Sequence, residues 1–220
     1  MLFNPKYQYQ TLKRVESNGS RLYDTPAGKV ASVTTILDST KDKTFLIEWR
    51  KRVGDSEANR ISKEASGLGT LMHLHLENYV IGKPRPEGNN LVQTMARSMA
   101  DTMINEAFPN VDEVWGIESS LYYPGLYAGT SDMIGVWRGK PAIIDHKTST
   151  KPKKKEWIED YFLQCCAYAL AHNEVHGTDI RTCAINIIDR DAKLQSFVIE
   201  GNEFDHYSIE WTKRVDQFYK

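Results

Sequence analysis

The chain has 220 residues, 40% of them apolar and 26% charged, with a formal net charge of −1. That length and mixture predict a single domain over 1–220 and exclude a disordered chain; near-neutrality excludes a protein cationic all over, though not a local basic groove. No stretch nears the roughly 18 apolar residues of a membrane span, Met1–Gln8 lacks a secretory h-region, and the three cysteines (Cys165, Cys166, Cys183) form no even disulfide set. The expectation is an intracellular protein with reduced thiols, no membrane association and no four-cysteine zinc or iron–sulfur site.

In chain order, Arg21–Asp24 and Lys29–Val33 flank the turn signal Thr25-Pro26-Ala27-Gly28 and predict a small hairpin opening the segment 21–37. Phe45, Leu46, Trp49 and Val53 have helical spacing over 43–53. A second helix is predicted from Asp55 to Val80 on the stripe Ala58, Ile61, Ala65, Leu68 and Met72, with a break or bend at Gly67 and Gly69. After a Lys83–Gly88 loop, Leu91–Phe108 reads as a helix closed by Pro109-Asn110, so residues 1–110 form a mainly helical amino-terminal part. The sheet core is expected within 111–220, with strands at Val114–Tyr123, Leu126–Trp137 and Pro141–Thr148. The charged loop Lys151–Lys155, a helix over Glu156–Val175, strands at Thr182–Asp189 and Leu194–Glu200 and an amphipathic helix over Glu203–Tyr219 follow. This order predicts an α/β fold, a mixed central β-sheet flanked by helices with an amino-terminal helical segment.

The chemistry emerges from one hairpin. If Arg138-Gly139 is a two-residue loop, Trp137 pairs with Lys140, and the same register sets Asp132 directly opposite Asp145, with β-carbons about 5 Å apart. Like charges so placed destabilise a sheet unless something positive lies between them. Lys147 is two residues beyond Asp145 on the same face, and the neighbours Met133, Ile134, Val136, Ile143 and Ile144 are apolar. A lone Asp-x-Lys is ordinarily a surface ion pair; two acids in register with a lysine, inside apolar strands, suit Mg²⁺ or Mn²⁺ and a phosphate. Glu118 depends on the turn before it. A two-residue loop at Pro124-Gly125 sets it opposite Ser131 on the wrong face, whereas a three-residue loop sets it opposite Asp132.

Gly129-Thr130-Ser131-Asp132, twelve intervening residues, then Asp145-His146-Lys147-Thr148-Ser149 resembles the PD-(D/E)XK nuclease core. With Gln164-Cys165-Cys166-Ala167-Tyr168 as a Q-x-x-x-Y motif and Gly69–His73 as a helix motif with a metal-binding histidine, it resembles the RecB-like exonucleases. Ser32–Leu37 and the run from Ala142 to Lys153 look most like the mitochondrial genome maintenance exonucleases and their phage relatives. Ser131 stands where the motif name has proline.

The resemblance implies a PD-(D/E)XK core and a Mg²⁺- or Mn²⁺-dependent deoxyribonuclease, an exonuclease acting on single-stranded DNA ends in processing, repair or recombination. It implies Asp132, Asp145, His73 and the backbone carbonyl of His146 as metal ligands, Lys147 as the group that orients or deprotonates the attacking water, and an acid at Glu118, favouring the three-residue loop. It gives Gln164 an approach to the site and Tyr168 a contact with the scissile strand. His75 points away from His73, and Glu77, one turn on, is a candidate to orient it. Lys151, Lys153, Lys154 and Lys155 read as a solvated loop or as phosphate clamps. Tyr122, Tyr123, Tyr127, Trp157 and Tyr161 offer stacking surfaces, although most aromatics pack in cores. The lack of four cysteines separates the chain from the iron–sulfur branch. An endonuclease of structure-specific or restriction type on the same core, and a non-catalytic nucleic-acid-binding module, are the alternatives.

Overall fold

A computed structural model of the protein describes residues 1–17 and 20–220. The hairpins dictate the middle of its sheet. Strands β1 (Leu2–Phe3), β2 (Lys13–Ser17), β3 (Ser20–Thr25) and β4 (Gly28–Ser32) precede the helices, and β5 (Val111–Tyr123), β6 (Tyr127–Trp137), β7 (Lys140–Ser149), β8 (Thr182–Asp189) and β9 (Leu194–Glu200) follow. They join one mixed sheet in the order β2-β3-β4-β6-β7-β8-β9, with β5 along the other edge of β6 and β1 beside β5. The mixed α/β class predicted from element order is the one observed. The first 32 residues differ from expectation: beyond the hairpin at 21–33 they supply two further strands, Leu2–Phe3 and Lys13–Ser17.

Helices cover both faces. On one, α1 (Val33–Thr40), α5 (Glu159–His176) and α6 (Asn202–Tyr219) pack over Ile134, Ile143, Cys183 and Ile185. On the other, α3 (Asp55–Val80) and α4 (Leu91–Thr102) pack over Met133, Ile144, Ala184 and Ile188. Double coverage explains why all eight residues of β8 are buried. Helix α2 (Thr44–Val53) contributes no buried residue.

The sequence reading missed α1; Ser32 caps it, its Oγ accepting from Thr35 N at 2.9 Å. No break occurs at Gly67 and Gly69, because Leu68, Met72 and Leu76 hold α3 against the core on either side of Gly69. A β-carbon at Gly69 would rest 3.6 Å from Thr148 Oγ1, so this part of α3 crosses the end of β7.

The two decisive registers are as the turns dictate. Trp137↔Lys140 through Met133↔Ile144 confirms the two-residue loop, whose Arg138 and Gly139 have φ of 49° and 80°. Tyr123↔Tyr127, Ser119↔Ser131 and Ile117↔Met133 establish the three-residue loop for β5–β6.

The β5 bulges between Val111 and Gly116 lie across from Gly135, where an added β-carbon would come 2.0 Å from Glu113 O. The clash is with backbone, which cannot rotate away. We predict that Gly135→Ala destabilises the fold by about 1–3 kcal/mol and lowers the thermal midpoint by roughly 3–10 °C, measured by calorimetry. An unchanged midpoint would mean that the bulge relaxes freely.

Candidate active site

Along one edge, β6 pairs with β7 from Met133 to Trp137 and with β4 at Tyr127 and Ala128. Between these contacts the edge is open, and Asp132 stands there, one residue past the last β6–β7 pair. The strand also changes face at this point. Tyr127 and Gly129 face α5, where the Tyr127 hydroxyl donates to Ala167 O and Gly129 abuts Tyr168, whereas Met133 faces α3 and α4. The opposing residue, Glu118, has a φ of 45°, so both strands kink together.

The kink aims the Asp132 carboxylate across the gap, where its Oδ2 accepts the His146 backbone N–H at 2.8 Å. Asp145 and Lys147 form a 2.6 Å ion pair with side chains 2% and 21% exposed, and Lys147 Nζ lies 5.3 Å from the Tyr161 ring centre. His73 arrives from α3, its Nδ1 lying 3.2 Å from Glu118 Oε1 and 3.7 Å from Asp132 Oδ1. Ligand atoms of His73, Glu118 and Asp132 lie within 4.8 Å of one another. Asp145 Oδ2 is buried with no hydrogen-bond partner among the described residues. Asp145, expected among the ligands, is not part of that close triad; imidazole and carboxylate donors so grouped, with the unpartnered Asp145 oxygen beside them, fit a divalent cation of the Mg²⁺ or Mn²⁺ kind.

Burial and charge compete at each group. Burial opposes a charge on His73, but Asp132 and the Glu118 hydrogen bond outweigh it and raise the imidazole to about 9. The two aspartates move in opposite directions, as coupled acids do. Burial works against ionised Asp132, yet His73 and Lys147 hold it below the ordinary carboxylate range. Asp145 is pushed up to about 7 by burial, with Asp132 adding to the rise and Lys147 opposing it. Burial disfavours the Lys147 ammonium, but Asp145 and Asp132 raise it above its ordinary value, so it stays protonated at neutral pH.

The other predicted residues distribute unevenly. His146 reaches the site through its backbone; its imidazole is buried 5.6 Å from the Phe108 ring centre, both nitrogens without a partner among the described residues, and burial depresses it to about 3. His75 faces away, as its spacing dictates, accepting from Arg85 Nε at 3.3 Å. Glu77 is not the partner of His73; that place belongs to Glu118, which only the β5 kink brings there. Tyr168 corrects its expected role: at 3% exposure, against Gly129, it has no face for a DNA strand. Its hydroxyl instead accepts from half-buried Gln164 at 3.2 Å. Tyr127 is likewise core, whereas Trp157 is 63% exposed. Of the lysines, Lys151 is exposed, half-buried Lys153 is tied by its backbone to Gln195, and Lys155 pairs with Glu203.

No family model matches the chain. It is 25% identical over 212 residues to mitochondrial genome maintenance exonuclease 1 of Xenopus tropicalis, covering 88% of this chain and 58% of the relative. To the human protein of the same name it is 24% identical over 203 residues, covering 86% and 58%. The chain thus spans under two-thirds of the length of these curated relatives. Among solved structures, an exonuclease-like protein from Eubacterium rectale superposes with a TM-score of 0.50 at 14% identity, covering 70% of this chain and 64% of that one, which supports the fold.

Two groups near or above neutrality compete with a cation for the same oxygens and nitrogen. Since His73 titrates at about 9 and Asp145 at about 7, both carry protons at pH 6 that ion binding must expel. We predict that Mn²⁺ affinity, measured by isothermal titration calorimetry, climbs steadily from pH 6 to pH 9 with measurable proton release. A flat profile over that range would mean that the ion binds elsewhere.

Proposed function

We propose that this relative of the PD-(D/E)XK exonucleases is itself a divalent-metal-dependent deoxyribonuclease, an exonuclease that hydrolyses phosphodiester bonds from single-stranded DNA ends. The observation that carries the reading is the convergence of Asp132, Asp145 and protonated Lys147 at one opening in the sheet edge, with Asp145 Oδ2 unpartnered. The likeness to proteins named as exonucleases supports it independently.

In this reading His73, Glu118, Asp132, Asp145 and the backbone carbonyl of His146 would hold Mg²⁺ or Mn²⁺. When bound, such an ion supplies a more acidic water and a counter-charge for the phosphate. The chain's own groups do the rest. Lys147, anchored on Asp145 and resting over Tyr161, presents N–H donors to the attacking water and to charge developing on the phosphate. Asp132 keeps the His146 segment in register through its amide contact, which places that carbonyl. Gln164, which donates to the Tyr168 hydroxyl, would guide the substrate strand toward the site, and exposed Lys151 with half-buried Lys153 would offer positive charge to its phosphates.

We predict that Lys147→Met lowers hydrolysis of end-labelled single-stranded DNA by about 10²–10³-fold while Mn²⁺ binding persists. Methionine keeps the apolar stem over Tyr161 but removes the donor. Near wild-type rates across a Mn²⁺ titration would reduce Lys147 to a structural counter-charge. Circular single-stranded DNA should survive conditions that consume the linear form; its cleavage would favour the endonuclease reading.

A further inference from the structure

The ring beneath Lys147 has a second neighbour. Tyr161 also lines a cavity of about 170 Å³ whose walls include Thr148 and Thr150, from the end of β7 and just beyond it, and two cations, Lys153 and Arg190. Neither cation has an acidic partner among the described residues. Both are carried on backbone that is firmly held. Gln195 of β9 grips Lys153 at both polar backbone atoms, accepting from its N at 2.7 Å and donating to its O at 3.0 Å. The buried Asp189 carboxylate accepts from the amides of Asp191 and Lys193 at 2.9 and 3.0 Å, which fixes the turn bearing Arg190.

A second cavity, of about 190 Å³, adjoins the first and shares Leu68 and Arg190 with it. Its remaining apolar wall is Leu91, Val92 and Met95 of α4. Leu91 and Val92 are 77% and 48% exposed, yet they open a helix fixed by a reciprocal capping box between Asn90 and Gln93. The acid at this cavity, Glu64, is already engaged by Arg60. Apolar side chains carried on a capped helix start, beside a guanidinium without an acidic partner among the described residues, match a ligand with one anionic and one flat apolar part.

We propose that the two cavities form one nucleotide subsite: Arg190 and Lys153, with the Thr148 and Thr150 hydroxyls, take a backbone phosphate, and Leu68, Leu91, Val92 and Met95 take the unpaired base next to it. The inference rests on the nuclease reading of the neighbouring site. Thr148 and Thr150 follow Lys147 by one and three residues, a span of about 3–10 Å of protein strand, so the subsite lies within reach of a phosphate that neighbours the reacting one. A base stacked in a duplex cannot enter the apolar half. The subsite therefore selects single strands without reading sequence.

The test is binding of a labelled single-stranded oligonucleotide and its blunt duplex in EDTA over a salt series, with hydrolysis in Mn²⁺ followed in parallel. Arg190→Gln should lower the slope of log affinity against log salt by about 0.7 for the single strand, and Arg190→Lys should restore it. Arg14→Gln, on the distant strand β2, should leave the slope at the wild-type value. Leu91→Ser combined with Val92→Ser should weaken single-strand binding roughly tenfold, leaving the slope and the duplex affinity unchanged. A wild-type slope in Arg190→Gln, or equal losses for single strand and duplex in the double variant, would overturn the subsite. Wild-type protein that binds with these signatures but cuts nothing supports the subsite and refutes the nuclease reading; wild-type protein that binds no DNA overturns both.

Discussion

A single hydrogen bond, from the His146 backbone N–H to the Asp132 carboxylate, closes the place where the sheet divides. Beyond Met133↔Ile144, β6 follows β5 towards the amino-terminal strands while β7 follows β8, and the two backbones no longer satisfy one another. A buried amide left unpaired there would cost about 1–3 kcal/mol. The aspartate side chain takes the place of a ladder acceptor, so the divergence is stable and the carboxylate is locked in one orientation. Everything else in the site is arranged round that point. Asp145 and Lys147 flank the held amide on β7, Glu118 comes in through a matching kink in β5, and His73 descends from a helix kept close by Gly69.

Packing so many ionisable groups together is unfavourable unless their charges balance. Among the four groups of the inner cluster, His73 and Lys147 are driven toward their cationic forms, Asp132 toward its anion, and Asp145 toward the neutral acid. Protons thus occupy positions that a divalent ion would otherwise neutralise, and exchanging them for the ion couples its affinity to pH. The global charge of −1 hides this arrangement, because a local cluster and its surrounding lysines set the field that a phosphate meets.

Much of the centre of the fold could be read from turn chemistry. Arg138-Gly139 specifies a two-residue hairpin, and counting from it carries the register correctly to Met133↔Ile144; the strands part there, so Asp132 meets the His146 amide instead of pairing directly with Asp145 as counting alone places it. Periodicity sufficed for α3 and α6, which each bury one apolar stripe, whereas α5 is buried on almost every side from Phe162 to His172. What counting missed depends on tertiary contacts. The positive φ of Glu118 has no glycine to announce it, so the acid that meets His73 could be named only through its register and the family resemblance. Strand β2, edged and largely exposed, carries no clear alternation, and α1 follows β4 without a loop, marked only by the Ser32 cap. Gly67 and Gly69 weaken a helix in isolation, but the core on either side of Gly69 overrides that preference. Tyr168 has the spacing to accompany Gln164, yet burial beside Gly129 makes it a support and not a contact surface.

The central claim is that the divided sheet edge is a divalent-cation site built from His73, Glu118, Asp132 and Asp145. Anomalous scattering from a crystal of the full chain soaked in Mn²⁺ tests this most directly. The account predicts a strong peak in the gap between β6 and β7, bonded to Asp132 and Asp145 oxygens at about 2.0–2.2 Å, with His73 or Glu118 completing the protein ligands. A saturated crystal with no peak there, or with manganese bound only at exposed carboxylates elsewhere, would contradict it.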